Sequence, residues 1–437
     1  PLPAGSGRRL ALATGDAGDG ADDDAVVWEN ARLVVPGSAD VPLGDAVRGA
    51  RQRDAARPVV AATAVRCLEV LDTLARDPAD LPSDAAGWDE AARAQGIDPR
   101  TLAAWGTYLG LQAHTPGIHA CGELLATSNP MVGGHEGVTG WTAADQLAVV
   151  ANATAVEQKI PGTIPPGGVA VHPAPKRQVV VAWRAPAAGR YGVESSVVDR
   201  HVGCGNGVAW SLELRRGGMR LPLAGGTANE KQEPRTFASP APLPLLPGDM
   251  LCLVVGPKDG DHGCDLTGVD LRITAGEQRW DLAADVAGSL AAANPHPGGQ
   301  GHAGVWHFAS EPTVAASAAT VPAGSALARW LLAGEPARRQ AAAAEVALVL
   351  ASRPPPAASP DGLLHRQLLG ISSPLVAAAA VGLGADAADS SLPFGLTLDG
   401  LSVAAGDLVT RAPATIELPL PDDLVGEIVV TARIHPG

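Results

Sequence analysis

At 437 residues the chain is longer than one hydrophobic core normally serves, and roughly two to four domains are expected. Its net charge of −14 excludes non-specific nucleic-acid binding, which needs clustered Lys and Arg to displace phosphate counterions. No apolar run reaches the roughly 18 residues of a membrane-spanning helix. Aromatics supply only 3% of residues, and Trp (9) outnumbers Tyr (2) and Phe (3), so Trp is the expected anchor of each core. Pro1 in place of Met reads as a processed or trimmed start.

The first 27 residues carry Asp16, Asp19, Asp22, Asp23 and Asp24, whose spacing departs from the D-x-D-x-D-G calcium loop and favours a solvated segment. VVWENARLVVPG, around Trp28, fits a strand or an extended packing segment. From Ala46 to Leu111 the period becomes helical. Val60, Val65, Leu68, Leu71 and Leu74 make one apolar stripe, DPADLPSD breaks it, and AAGWDEAARAQGI forms a second helix. Asp98–Pro99 is a cap and first-turn signal for a third helix, with Leu102, Trp105 and Leu109 in phase. Residues 114–140 are loop-rich. Their His114, His119 and His135, with Glu123 or Glu136, are a minor metal candidate of no recognised spacing.

From Trp141 strand patterns take over. QLAVVANA, GGVAVHP, RQVVVAWRAP, RYGVESSVVD, VAWSLELRRG, MRLPLAG, DMLCLVVG and GVDLRITAG are short strands punctuated by Pro, Gly and Asp turns, the spacing of a β-sandwich. In WSLELRRG, Trp210, Leu212 and Leu214 fall on one face and Ser211, Glu213 and Arg215 on the other. Trp280, Trp306 and Phe308 are expected plugs of the sandwich. After Pro312 helices return, one capped by Ser325 and one with Pro336 in its first turn, before a final stretch of strands. The stop directly after a strand reads as a piece of something longer. The expected fold is α+β and multi-domain: a mainly helical N-terminal domain over 1–140, a central jelly-roll-like β-sandwich over 141–312, a helical segment over 313–390 and a C-terminal β region over 391–437.

Three constellations carry chemistry. Asp259, Asp261, Asp265 and Asp270 lie with His262 in KDGDHGCDLTGVD, a loop rich in the hard oxygen ligands that Ca²⁺ takes; the competing reading is ordinary Asp turn chemistry. Cys204 in HVGCGNG and Cys264 in DGDHGCDLTG sit in similar loops and suit a disulfide. The rival is a zinc site with His201 and His262. Cys67 and Cys252 lie in apolar patterns and are read as buried thiols, and Cys121 stays unassigned. His296, His302 and His307, near Glu311, are read as loop and strand-end residues that seal the sandwich. No G-x-S-x-G, H-E-x-x-H or Walker loop occurs, and no CxxCH, so covalent haem within these residues is excluded. GQGHAG matches the dinucleotide glycine spacing, but it neither follows a strand nor opens a helix.

Longer phrases carry a resemblance. IPGTIPPGGVAVHPAPKRQVVVAWRAP, CGNGVAWSLELRRG, PGDMLCLVVGPKDGDHGCDLTGVDL, NPHPGGQGHAGVWHFASEP and ATIELPLPDDLVGEIVVTARI resemble segments of large secreted proteins of planctomycete-type bacteria. Those proteins are built of uncharacterised domains, often beside a c-type cytochrome domain. The resemblance implies an extracytoplasmic chain with a carbohydrate-binding-like sandwich, Cys204 and Cys264 as a structural pair, and envelope partners such as a c-type cytochrome chain. The resulting expectation is a non-catalytic binding or scaffolding subunit. Glycan is its leading ligand, with Trp183, Trp210, His201 and His262 as contacting residues, although alternation turns Trp210 inward. The alternatives are a hydrolase or redox-partner enzyme with a His/Asp loop site, and a purely structural subunit.

Overall fold

A computed structural model describes residues 8–15, 24–34, 40–76, 80–111, 121–201, 203–229, 233–299, 301–313, 319–370, 373–382, 394, 403–404, 406–420 and 427–435. The fold is mixed α and β, with mostly antiparallel strands. By contacts the chain divides into two compact units, Pro1–Ala64 with Ala347–Gly437, and Val65–Val346.

The first unit draws strands from both ends of the chain. Ala25–Val34, the extended segment around Trp28, lies between Leu408–Arg411 and Glu427–His435, and Arg9–Thr14 pairs with Ala414–Pro419. Leu12, Ala31, Leu33, Leu43, Val47, Leu408 and Leu418 form its buried cluster. The two terminal regions therefore share one core, a long-range pairing that no local pattern signals. Helix Leu43–Leu74 buries Val60, Leu68 and Leu71 of the anticipated stripe, with Ala64 and Cys67 beside them, while Val65 and Leu74 are half-buried.

In the second unit, helices Ala85–Ala94 and Pro99–Tyr108 are capped by Asp84 and Asp98, whose carboxylates accept from Gly87 N (2.9 Å) and Thr101 N (3.0 Å). Two antiparallel sheets follow. One runs, in spatial order, Arg235–Ala238, Gly189–Asp199, Thr267–Ala275, Val169–His172, Ala148–Asn152, Val138–Thr142, Ser128–Asn129. The other runs Ala319–Thr320, Met219–Ala228, Val208–Arg216, Met250–Pro257, Arg177–Arg184, Trp306–Pro312, Glu123–Leu124; its Ala319–Thr320 edge pairs in parallel. Each of the strand segments anticipated between QLAVVANA and GVDLRITAG forms a strand. Trp183 on the second sheet packs edge-on to Tyr191 on the first (5.2 Å) and against Trp280 (5.0 Å), so aromatics from both sheets interlock. Trp280, Trp306 and Phe308 are fully buried, as plugs should be.

The second sheet is buried on both faces. Val180, Ala182, Cys252, Val254 and Ala309 form a cluster with Cys121 on the side away from Trp183. Arg215 belongs to that side too, and it is 1% exposed rather than solvated. Alternation marks which residues share a face of a strand, but whether that face is covered depends on chain elsewhere. Four strands converge there on one carboxylate. Glu311 accepts from Arg215 (3.0 and 2.8 Å), Arg220 (3.2 and 2.6 Å) and Gln178 (2.7 Å). Ser325 caps helix Ala326–Leu332 by accepting from Ala328 N at 3.2 Å, and Pro336–Ala351, Pro360–Leu369 and Pro374–Gly382 follow.

Candidate functional site

The site is built where several strands of the second unit end. Val169–His172 delivers His172, and Gly189–Asp199 delivers Asp199, followed at once by His201 and Cys204. Met250–Pro257 runs into the loop that holds Asp259, Asp261, His262, Cys264 and Asp265. That loop turns through Asp259 (φ 54°) and Gly260 (φ 77°), closed by pairing of Lys258 with Asp261. Two consecutive left-handed residues make the tight reversal, and Asp with Gly is a pair that tolerates it. The two Cys loops touch so closely that a Cβ on Gly205 (φ 79°) would lie 2.2 Å from Gly263 O. Only glycine fits there.

Cys204 and Cys264 are joined in a disulfide, with Cα atoms 5.8 Å apart. His201 Nε2 lies 3.6 Å from Cys204 Sγ. His201, Cys204 and Cys264 are also the one group of three or more metal-ligand types that converges among the described residues. While the bridge is intact both sulfurs are committed to it, so the zinc alternative has no thiolates to use. The bridge spans 60 residues, and its reduction should cost about 2–4 kcal/mol, because it restores conformational freedom to the unfolded chain. Urea midpoints with and without dithiothreitol check this. Cys67, Cys121 and Cys252 are fully buried thiols outside any disulfide, so the reductant acts on this bridge alone. An unchanged midpoint would show that the loops hold themselves.

The aspartates separate. Asp259 and Asp261 are exposed; Asp261 Oδ1 accepts from Gly263 N at 3.0 Å, the local turn bond that competed with the calcium reading. Asp270 lies on a different group, with Arg272 at 4.0 Å, beside Asp281. The anticipated quartet Asp259, Asp261, Asp265 and Asp270 thus does not converge as ligands. Asp265 stands out instead: it is 2% exposed and neither carboxylate oxygen has a hydrogen-bond partner. Burial, then the charges of Asp261 and Asp199, push its pKa up to about 7.

Three imidazoles gather at this end, where they interact with one another. His172 and His262 stack edge to face at 5.9 Å. Burial holds the His172 pKa below its ordinary value, and the charges of His262 and His201 add to that. Asp199 Oδ1 accepts from His201 N at 2.8 Å and fixes the start of the loop. His201 and His262, both anticipated, are half-buried at this end. His172 and Asp199 were not anticipated, and the available signal was position: each is the last residue of its strand, Val169–His172 and Gly189–Asp199. The assembly can accept and donate protons near neutrality, and it offers oxygen and nitrogen donors to a cation or a polyol.

The two tryptophans do not offer a sugar platform. Trp183 is fully buried in the aromatic core, and Trp210 is 9% exposed. Inward alternation accounts for Trp210, and the interlocked sheets for Trp183. The histidines of the NPHPGG–VWHF region are structural in their contacts: His296 is buried against Ser289 Oγ (3.0 Å), and burial brings the His307 pKa down to about 4. His135 bonds to Gln158 at 3.1 Å, whereas His114, His119 and the aspartates 16, 19, 22 and 23 lie outside the described residues. Among the described residues no helix is long and apolar enough to cross a membrane. The chain matches no protein family, no curated protein and no solved structure.

Proposed function

We propose that this chain is a non-catalytic binding or scaffolding subunit of an extracytoplasmic assembly, and that the disulfide-closed loop end of a jelly-roll-like sandwich is its binding surface. The observation that carries the reading is Asp265. A buried carboxylate with no partner on either oxygen is costly, and a group arriving from outside can satisfy it. A glycan hydroxyl is such a group. The ligand is then gripped by His201, His262 and the carboxylates rather than by a tryptophan face. A disulfide between two surface loops supports an oxidising compartment. Kinship with secreted planctomycete-type proteins, and a c-type cytochrome chain as partner, rest on the sequence resemblance.

Calcium is the second reading, favoured by the same orphaned oxygens of Asp265. One experiment addresses both. Oxidised, EDTA-stripped protein is applied to a glycan array with and without Ca²⁺, beside His201→Ala and His262→Ala. Binding to one glycan class that weakens at least tenfold in both variants is the expected result, roughly the loss of one hydrogen bond to a charged partner. Equal binding by the variants, or no binding in either condition, would rule out the loop end as the surface.

A further inference from the structure

The second unit contains another concavity, and its charge is opposite to that of the chain. A cavity of about 250 Å³ lies between Trp330, Leu331 and Leu245 on its apolar side and Arg76, Arg190, Arg216 and Arg339 on its polar side. The carboxylates that answer these four guanidiniums are two. Asp249, fully buried, accepts from Arg216 at 2.8 and 2.7 Å. Asp72 is shared, accepting from Arg76 at 2.9 Å and from Arg339. The Arg190 guanidinium has no hydrogen-bond or ion-pair partner among the described residues. Two positive charges are therefore left uncompensated, on a chain whose net charge is −14.

Arg339 and Arg190 are also positioned by contacts other than ion pairs. Arg339 lies over the Trp330 ring at 5.7 Å and also donates to Ala333 O (3.1 and 2.6 Å), so ring and guanidinium fix one another. Arg190 rests on Gly334, where a Cβ would come within 1.9 Å of its Nη1. The glycine leaves room for the guanidinium at the rim.

We propose that this cavity binds a phosphate monoester with a short apolar body. A phosphate monoester carries about −1.5 to −2 charges at neutral pH, which matches the two uncompensated guanidiniums, and Arg presents paired donors suited to its oxygens. Trp330 and Leu245 supply the apolar wall. The volume is below the roughly 300–1,000 Å³ of drug-sized sites, which restricts the body to a single ring or a short chain. The site is independent of the loop end: Arg190 and Asp199 lie near opposite ends of the 11-residue strand Gly189–Asp199, roughly 30 Å apart.

Titration calorimetry of the full oxidised chain with phenyl phosphate, inorganic phosphate and benzoate tests the proposal. Phenyl phosphate is expected to bind tightest, with inorganic phosphate weaker for want of the apolar contact and benzoate weaker for want of charge. Arg190→Ala should weaken phenyl phosphate about tenfold or more, with Arg190→Lys retaining part of the affinity. Arg190 is exposed, so its variants should fold, which circular dichroism and the melting temperature check. Gly334→Val, which crowds Arg190 off the rim, should reproduce the loss without removing charge. Absence of phenyl phosphate binding at millimolar concentration, equal affinity for benzoate, or full affinity in Arg190→Ala would each overturn it.

Discussion

Glu311→Ala is expected to destabilise the second unit by about 3–5 kcal/mol, measured by urea unfolding at neutral pH. Glu311 is 5% exposed and receives five hydrogen bonds, from Arg215, Arg220 and Gln178. Burial would raise its pKa, but the hydrogen bonds and charge of Arg215, followed by those of Arg220, hold it below the ordinary carboxylate range. Truncation leaves Arg215, 1% exposed, with Glu213 (2.8 Å) as its remaining carboxylate, and Arg220 reaches the same group only at 3.9 Å. Arg215 is then shut off from solvent with half its ion network gone, whereas Arg220, 20% exposed, can turn to water. Glu311→Gln keeps the shape and one accepting oxygen, but its amide nitrogen meets guanidinium donors from which it cannot accept, so it should recover only part of the loss. The pH sign also follows. A depressed folded-state pKa gives stability that is present above the unfolded carboxylate pKa and is lost as pH falls through the folded value. A loss below about 1 kcal/mol in Glu311→Ala would mean that the apolar cluster around Cys252 holds these strands without the ion network.

That network also marks the limit of what the residues declare in one dimension. Strands were legible because VVVAWR, VAWSLEL and DMLCLVV combine β-branched residues with turn signals at short spacing, and those are local properties. Helix starts were legible at Asp98 and Ser325 for the same reason, since a cap acts on the next turn. The pairing of Arg9–Thr14 with Ala414–Pro419 was not, because nothing within a dozen residues of either strand refers to the other. The burial of Arg215 was not legible, since alternation reports which face a residue shares, not what covers that face. At the site, both cysteines and both anticipated histidines lie where the loops meet. The aspartate quartet does not gather in one place among the described residues: Asp270 lies 4.0 Å from Arg272, beside Asp281, whereas Asp265 feels Asp261 and Asp199. Trp183 failed as a ligand platform because the core took it, as expected of a chain with few other aromatics.

Asp265→Asn is expected to make the protein more stable above pH 7, by up to about 4 kcal/mol, and to remove a slope that the parent shows in mild acid. The folded pKa of about 7 lies above the unfolded value of 3.8, so between those values the folded chain keeps a proton that the unfolded chain releases. Stability from this group is therefore complete near pH 4, falls as pH rises towards 7, and is flat beyond. The slope is the reverse of that from Glu311 and from His172, whose lowered pKa makes the folded state lose stability as pH falls. Only the difference between parent and variant, followed by urea unfolding from pH 4 to pH 8, isolates Asp265. Parallel profiles would mean that the carboxylate is already satisfied. The same pair of proteins bears on function. At pH 8 the ionised carboxylate is the form that needs an outside partner, so a bound cation or polyol should restore to the parent the stability that the Asn variant has without it. Ligand that stabilises both proteins equally must sit elsewhere, and the loop end would then owe its charge to folding alone.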